Sequence, residues 1–376
     1  TPPTGHRALN SKNLATPSAA QIVKPQRHFD TILYSGTGSS NSITGLEFAP
    51  DFIWAKRRNS SGHHHLLIDT IRGGSKSLQA NTNDSENSNA NRDMTFLKDG
   101  IRWNSDTGNA NANGGTYAVW CWKGGGAAVT NTDGNITSSV SANQESGFSI
   151  VTYTGNGNSP QTIGHGLGKA PSWVIVKDRD NNMDWVVKHK GLSSNKILYL
   201  HTASAEDTGT GSNNGIIDNL TSATTTTVTL TNNGSGNMNM VNKSSTDYVM
   251  YCWAEVPGFS KFGKYRGNGQ SEGKFVDCGF RPAFLIIKRI NDSRNWMIFD
   301  NKRDIDNPVQ TFLEADQSSA DATLNGGVLF LDNGFRCITS DTDVNANDTS
   351  GGDTYIYMAF AEQPGTTPFD TFPNAR

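Results

Sequence analysis

Three blocks of this sequence share one pattern, and that pattern limits the possible folds more than any other feature. "FDTILYSGTGSSNSITGLEFAPDFIWAKRR" begins at Phe29, "FSIVTYTGNGNSPQTIGHGLGKAPSWVIVKDR" at Phe148 and "FSKFGKYRGNGQSEGKFVDCGFRPAFLIIKR" at Phe259. Each starts with an aromatic-led apolar run that reaches a tyrosine (Tyr34, Tyr153, Tyr265), and a Gly-Xaa-Gly turn follows. Each then passes through a Gly- or Ser-rich stretch to a proline and an apolar run closing on lysine. The pairs are Pro50 and Lys56, Pro171 and Lys177, and Pro282 and Lys288, six positions apart in every copy. A repeat of about one domain length implies three similar units rather than solenoid coils.

Within each block the signals are short strands bounded by turn residues. "DFIWAKR", "HHLLIDT", "MTFLKDGIRW" and "TYAVWCWK" supply four in the first copy. "TYAVWCWK", "DYVMYCWAE" and "TYIYMAFAE" alternate with period two, placing Trp120 and Trp122 on one face. No window has the periodicity of a long amphipathic helix. The expected fold is all-β: three tandem β-sandwich, jelly-roll-like repeats with an extended N-terminal arm. The boundaries are 1–28 for the arm, 29–123 for repeat 1, 124–147 for a linker, 148–256 for repeat 2, 257–364 for repeat 3 and 365–376 for a tail. Three large sheets around a pseudo-threefold axis are the alternative arrangement.

Composition narrows the function. Charged residues make up 18% of the 376, and the net charge is −3, so no basic field gathers nucleic acid. No apolar run reaches membrane-spanning length, so no membrane insertion is expected. Cys121, Cys252, Cys278 and Cys337 are expected as packed free thiols, compatible with assembly in a reducing cytoplasm.

Candidate chemistry is sparse. His63, His64 and His65 could offer a metal ligand pair in His63 and His65, but a solvated turn is the plainer expectation. Asp341, Asp343, Asn345 and Asn347 begin like a calcium loop, yet Ala346 and Gly352 stand where that loop needs Gly and Glu. No cofactor is expected, and calcium is the one ion weighed. Lys56, Lys177 and Lys288 could form a ring of ligand-binding cations; the preferred expectation is a lysine at the wet end of a buried strand. Trp103, Asn109, Asn111, Asp341, Asp343 and Asn345 are the candidate binding residues, since Trp stacks on sugar rings and Asn and Asp bond hydroxyls. The loops 81–93, 201–219 and 341–353 are the expected places of partner contact. No nucleophile elbow, zinc-protease helix or phosphate loop is present, so an enzyme is not expected.

The blocks at 148–180 and 248–269, with "GFRPAFLIIKR" through "TYIYMAFAEQP" (279–364) and the first copy, "FDTILYSGTG…ITGLEFAPDFIWAKRR", resemble a repeat of tail-fibre and appendage virion proteins of marine and cyanobacterial tailed phages. The opening "TPPTGHRALNSKNL" resembles the segment that follows a SPRY-like, concanavalin-A-like domain in such proteins. The resemblance implies a virion structural protein attaching to a host-surface glycan or receptor, with other virion proteins and itself, as a trimer, for partners. It carries no catalytic residues. A purely architectural capsid-decoration or connector role is the rival expectation, and a tail-spike polysaccharide depolymerase is the third.

Overall fold

The computed structural model describes residues 24–88, 93–105, 108–209, 215–220, 223–232, 238–347 and 353–362. The expected arm up to residue 23 and the tail at 365–376 lie outside them. A single 3-10 turn, Pro25–Arg27, precedes the strands. The first copy contains β1 (Phe29–Ser35), β2 (Asn41–Thr44), β3 (Phe52–Arg57), β4 (Leu66–Asp69), β5 (Leu78–Gln79), β6 (Met94–Leu97), β7 (Gly100–Trp103) and β8 (Thr116–Trp122). Next come β9 (Val129–Asn131), β10 (Ser138–Asn143), β11 (Phe148–Thr154), β12 (Gln161–Gly164), β13 (Trp173–Asp178), β14 (Val186–His189), β15 (Leu198–Tyr199), β16 (Ile216–Ile217), β17 (Thr227–Thr231) and β18 (Asp247–Trp253). The third copy supplies β19 (Ser260–Arg266), β20 (Phe275–Asp277), β21 (Pro282–Arg289), β22 (Met297–Asp300), β23 (Val309–Glu314), β24 (Ala322–Leu331), β25 (Gly334–Cys337) and β26 (Thr354–Ala361).

The chain is all-β and antiparallel, and one strand order recurs three times. The large sheets run β1-β8-β3-β4-β5, β11-β18-β13-β14-β15 and β19-β26-β21-β22-β23. A second layer recurs as β2-β7-β6, β12-β17-β16 and β20-β25-β24, the last fused to its large sheet through β23 and β24. Each pair of layers is a sandwich with its own core. Ile53, Ala55, Leu66, Val119, Ile101 and Trp103 belong to the first. The segment 124–147, expected as a linker, instead carries the β9–β10 hairpin, which pairs with β11 and widens the second sheet. Its Ser/Val alternation suits a strand as well as a linker.

The Gly-Xaa-Gly turn has a steric reason that holds in all copies. A Cβ on Gly36, Gly155 or Gly267 would sit 2.2 Å from the carbonyl oxygen of Ala112, Lys243 or Ala346. Gly38, Gly157 and Gly269 have φ of 69°, 76° and 63°, where side chains are strained. The turn brings the block tyrosine against the one opening the last strand of its sheet. Tyr34–Tyr117, Tyr153–Tyr248 and Tyr265–Tyr355 stack with centroids 5.0, 5.2 and 5.0 Å apart.

The other face of each large sheet joins one core shared by all three copies, so no copy buries its hydrophobic surface alone. Phe52, Trp120 and Trp122 meet Phe148, Tyr251, Trp253, Phe284 and Phe360 there. Phe52 stacks near Tyr251 at 4.5 Å, and Trp122 meets Trp253 at 6.2 Å and Phe360 at 5.8 Å. This core explains the continuous apolar runs after each proline. β3 and β13 are buried on both faces, as central strands between two cores must be. The arrangement combines both expectations: sandwiches, packed sheet against sheet around a common centre.

Candidate functional site

The most distinctive chemistry lies where one copy meets the next. Lys56, Lys177 and Lys288 stand at matched register in β3, β13 and β21, and all three are fully buried, 0% exposed. They do not reach water, because each ammonium is wrapped by backbone carbonyls. Lys56 Nζ donates to Arg57 O (2.8 Å) and to Ser319 O of the third copy (2.6 Å). Lys288 Nζ donates to Arg294 O (2.7 Å), Arg289 O (2.8 Å) and Ala203 O of the second copy (3.0 Å). Lys177 caps Asp178 O (2.7 Å) and Asn181 O (3.3 Å). Burial pushes each ammonium down to about 8. The wet-end expectation is therefore corrected. A ring of ligand-binding cations is not formed either, since the carbonyls use the donors.

The same strand-end loops receive a clasp from the neighbouring copy. Glu86 N–H donates to Arg179 O (2.8 Å), Glu206 N–H to Ile290 O (2.7 Å) and Asp321 N–H to Arg58 O (2.7 Å). First grips second, second grips third, and third grips first, so the contacts close into a ring. Carboxylates strengthen two clasps: Glu86 takes both Nε and Nη2 of Arg179 at 3.0 Å, and Asp321 takes Nε of Arg58 at 2.7 Å.

His65 belongs to this machinery. It sits at the position that Trp185 and Trp296 occupy in the other copies, just before β4, β14 and β22 respectively. Trp185 Nε1 donates to Gln79 O (3.0 Å), Trp296 Nε1 to Tyr199 O (3.1 Å), and His65 Nε2 bonds Glu314 O (3.0 Å). In each case the acceptor belongs to the preceding copy around the ring. His65 Nδ1 accepts from Trp54 Nε1 at 2.9 Å. Burial holds this imidazole well below its ordinary pKa, so it is neutral. The solvated-turn expectation fails for His65, whose ring nitrogens are both engaged. His63 Nε2 lies 3.0 Å from Arg57 Nη1, and His64 Nδ1 is 3.0 Å from Asn81 Nδ2.

A third element bolts the ring at the ends of β4 and β22. Asp69 binds Arg72 Nε at 2.6 Å, and the pair meets Tyr251, whose hydroxyl donates to Asp69 Oδ2 (2.8 Å). Asp300 binds Arg303 Nε at 2.5 Å and accepts from Trp120 Nε1 at 3.0 Å, while the guanidinium lies 5.4 Å from the Trp120 ring centroid. Tyr251 and Trp120 are equivalent positions of the neighbouring copies. The second copy has His189 and Leu192 instead, packed against Trp173 and the third copy.

Four of the expected binding residues, Trp103, Asn109, Asn111 and Asn345, are buried, while Asp341 and Asp343 are half-buried. Trp103 is fully buried in the first outer core and offers no stacking face. Asn111 is buried: its Oδ1 accepts from Thr37 N–H (3.0 Å), and its Nδ2 donates to Ser39 O (2.6 Å). Asn345 repeats this with Asn268 N–H (3.0 Å) and Gln270 O (2.8 Å), and Asn242 with Asn156 N–H (2.9 Å) and Asn158 O (2.8 Å). Asn109 Oδ1 accepts from His64 N–H at 3.0 Å. Asp341 Oδ1 accepts from Asp343 N–H at 2.8 Å, closing a turn, and burial raises the Asp343 carboxyl above the ordinary range. Among the described residues no three His, Cys, Asp or Glu side chains converge as metal ligands. Two of the three loops expected to meet partners, 81–93 and 201–219, supply two of the three clasps in their described parts. All four cysteines are buried and free.

Asn242, the one of these three asparagines not singled out from sequence, left a signal: it lies six positions before Tyr248, as Asn111 lies six before Tyr117. The lysines stand out in the sequence, but their partners lie up to 263 positions away.

No curated protein and no solved structure matches the chain. One family model, described as a domain of unknown function, DUF7483, matches residues 24–364. That match takes in all three copies as one unit, in keeping with their shared core, and the chain belongs to the DUF7483 family.

Proposed function

We propose that this chain is a structural protein of a phage virion, a tail-fibre or appendage component that attaches to the host surface. The observation carrying this reading is the thrice-repeated Phe–Tyr–Gly-Xaa-Gly–Pro–Lys block, through its resemblance to appendage repeats. Support comes from a surface kept in solution by amides and hydroxyls, with charged residues at only 18%. The four buried free thiols fit assembly in a host cytoplasm before release in the particle. A surface glycan or receptor is the proposed ligand class, and other virion proteins and further copies of the chain, as a trimer, are the proposed partners. No catalytic role, cofactor or membrane insertion belongs to the proposal.

One observation favours the architectural reading, a capsid-decoration or connector protein. Two of the three loops best suited to a ligand by sequence, 81–93 and 201–219, hold neighbouring copies together through Glu86 and Glu206. Cryo-electron microscopy of intact particles from the source separates the two. Density at the outward tip of a tail or fibre supports attachment. Density tiled on the capsid, or enclosed between other virion proteins, overturns it and leaves the architectural role. Absence from the particle sinks both.

A further inference from the structure

The three large sheets end on equivalent edge strands, β1, β11 and β19, and the chain treats these edges in three ways. Unpaired sheet edges are templates for strand addition unless covered or charged. The β11 edge is covered by β10, with Val140 opposite Val151 and Ser139 opposite Thr152. The β19 edge carries Lys261, Lys264 and Arg266, and Gly263 stands where an apolar side chain would be. Among the described residues the β1 edge has no covering strand and no row of cations; its one charge, Asp30, accepts from Thr31 N–H at 2.8 Å and lies 3.7 Å from Lys302. Among the described residues only β8 pairs with β1.

Its side chains are nonetheless those of a covered edge. Ile32 is the counterpart of Val151, by its place two residues before the block tyrosine. Val151 is fully buried beneath Val140, whereas Ile32 is only half-buried at the rim of the first outer core. Leu33, the counterpart of Thr152, is 38% exposed, one of few large apolar side chains so placed. The register is also open. His28 O accepts from Lys123 N–H and Gly36 N–H donates to Gly115 O, so the even-numbered residues of β1 face β8. The backbone groups of the odd-numbered residues point away from the sheet; Thr31 N–H is held by Asp30 Oδ1 (2.8 Å) and Ser35 O by Asn41 Nδ2 (3.1 Å), so the docking edge centres on Leu33.

We infer that the β1 edge is a docking site for an extended strand of a partner protein. The occupant is antiparallel, uncharged, and alternates small hydroxyl residues with aliphatic ones, as β10 does ("SSVSAN"). Main-chain bonds to the Leu33 edge supply affinity, and an aliphatic side chain over Ile32 completes the first outer core as Val140 completes the second. This inference does not depend on the virion reading.

The probe is a labelled peptide of residues 134–146, "GNITSSVSANQES", titrated against the full chain by fluorescence polarisation. Saturable binding is expected. It should weaken at least about tenfold in Leu33→Lys, which charges the edge as β19 is charged, and disappear when the peptide backbone is N-methylated. Leu33 is exposed, so an unchanged melting temperature shows that the variant folds. Absence of saturable binding, or equal binding by Leu33→Lys, overturns the proposal. Binding that emerges only after residues 1–23 are removed overturns it too, because the chain's own segment is then the occupant. Self-association lost in Leu33→Lys, without peptide binding, names a second copy instead and also contradicts the proposal.

Discussion

The junction between the third and first copies and the junction between the second and third solve one packing problem by opposite chemistry. At the first, Asp300 and Arg303 are buried as an ion pair against Trp120, with Arg303 reaching Asp321 at 3.0 Å. At the second, His189 and Leu192 take those places among apolar and aromatic neighbours, and His189 Nδ1 accepts from Gly191 N–H at 2.8 Å. The backbone bonds that close the ring are alike at both. The ion pair is therefore not required for closure. A buried pair is expensive to desolvate and is worth little net stability against a well-packed apolar alternative, but it is costly to break by halves.

That contrast gives the largest expected effect. Arg303→Leu leaves Asp300 buried without its cation and should cost about 3–5 kcal/mol in urea denaturation. Asp300→His combined with Arg303→Leu, which copies the second junction, should lose less than the single variant. A double variant as damaged as the single one would mean that the first junction depends on the charges themselves. His65→Ala comes next. It leaves Trp54 Nε1 and Glu314 O without their partner, and the expected loss is about 2 kcal/mol. His65→Trp, which copies the other two junctions, is the informative companion, since recovery of stability would show that the three anchors are interchangeable.

The last effect is one of pH. His189 is held neutral by burial, with its pKa lowered from 6.5 to about 3. Below pH 6.5 the unfolded chain takes up a proton that the folded chain refuses, so its contribution to stability is lost as pH falls from 6.5 toward about 3. His189→Asn, which keeps an acceptor for Gly191, should flatten that part of the stability–pH curve. An unchanged slope would show that the imidazole does not titrate between the two states.

Much of the fold was legible because it rests on local rules. The Tyr–Gly-Xaa-Gly turns, the alternating last strands and the apolar runs after each proline each have a local cause, and the structure has a turn at the first and strands at the other two. Closure of the ring was not legible. Lys56 finds Ser319 across the whole chain, and an apolar run ending in lysine looks the same whether the ammonium meets water or carbonyls. His65 hid for another reason: a histidine filling a tryptophan's place breaks the visible repeat while keeping its hydrogen bond. The loops around Glu86 and Glu206 have the polar composition of recognition loops, and polarity does not reveal that their partner is the same chain. The β9–β10 hairpin was missed because short Ser/Thr/Asn runs suit linkers and edge strands equally.

The central claim is that the three copies form one closed unit rather than three sandwiches on a string. Native-state hydrogen exchange, read by mass spectrometry across mild denaturant, tests it directly. Peptides from β3, β13 and β21 should converge on one global opening free energy, because the shared core and the clasps can be lost only together. Three distinct opening energies, with one copy exchanging while the others stay protected, would contradict the account.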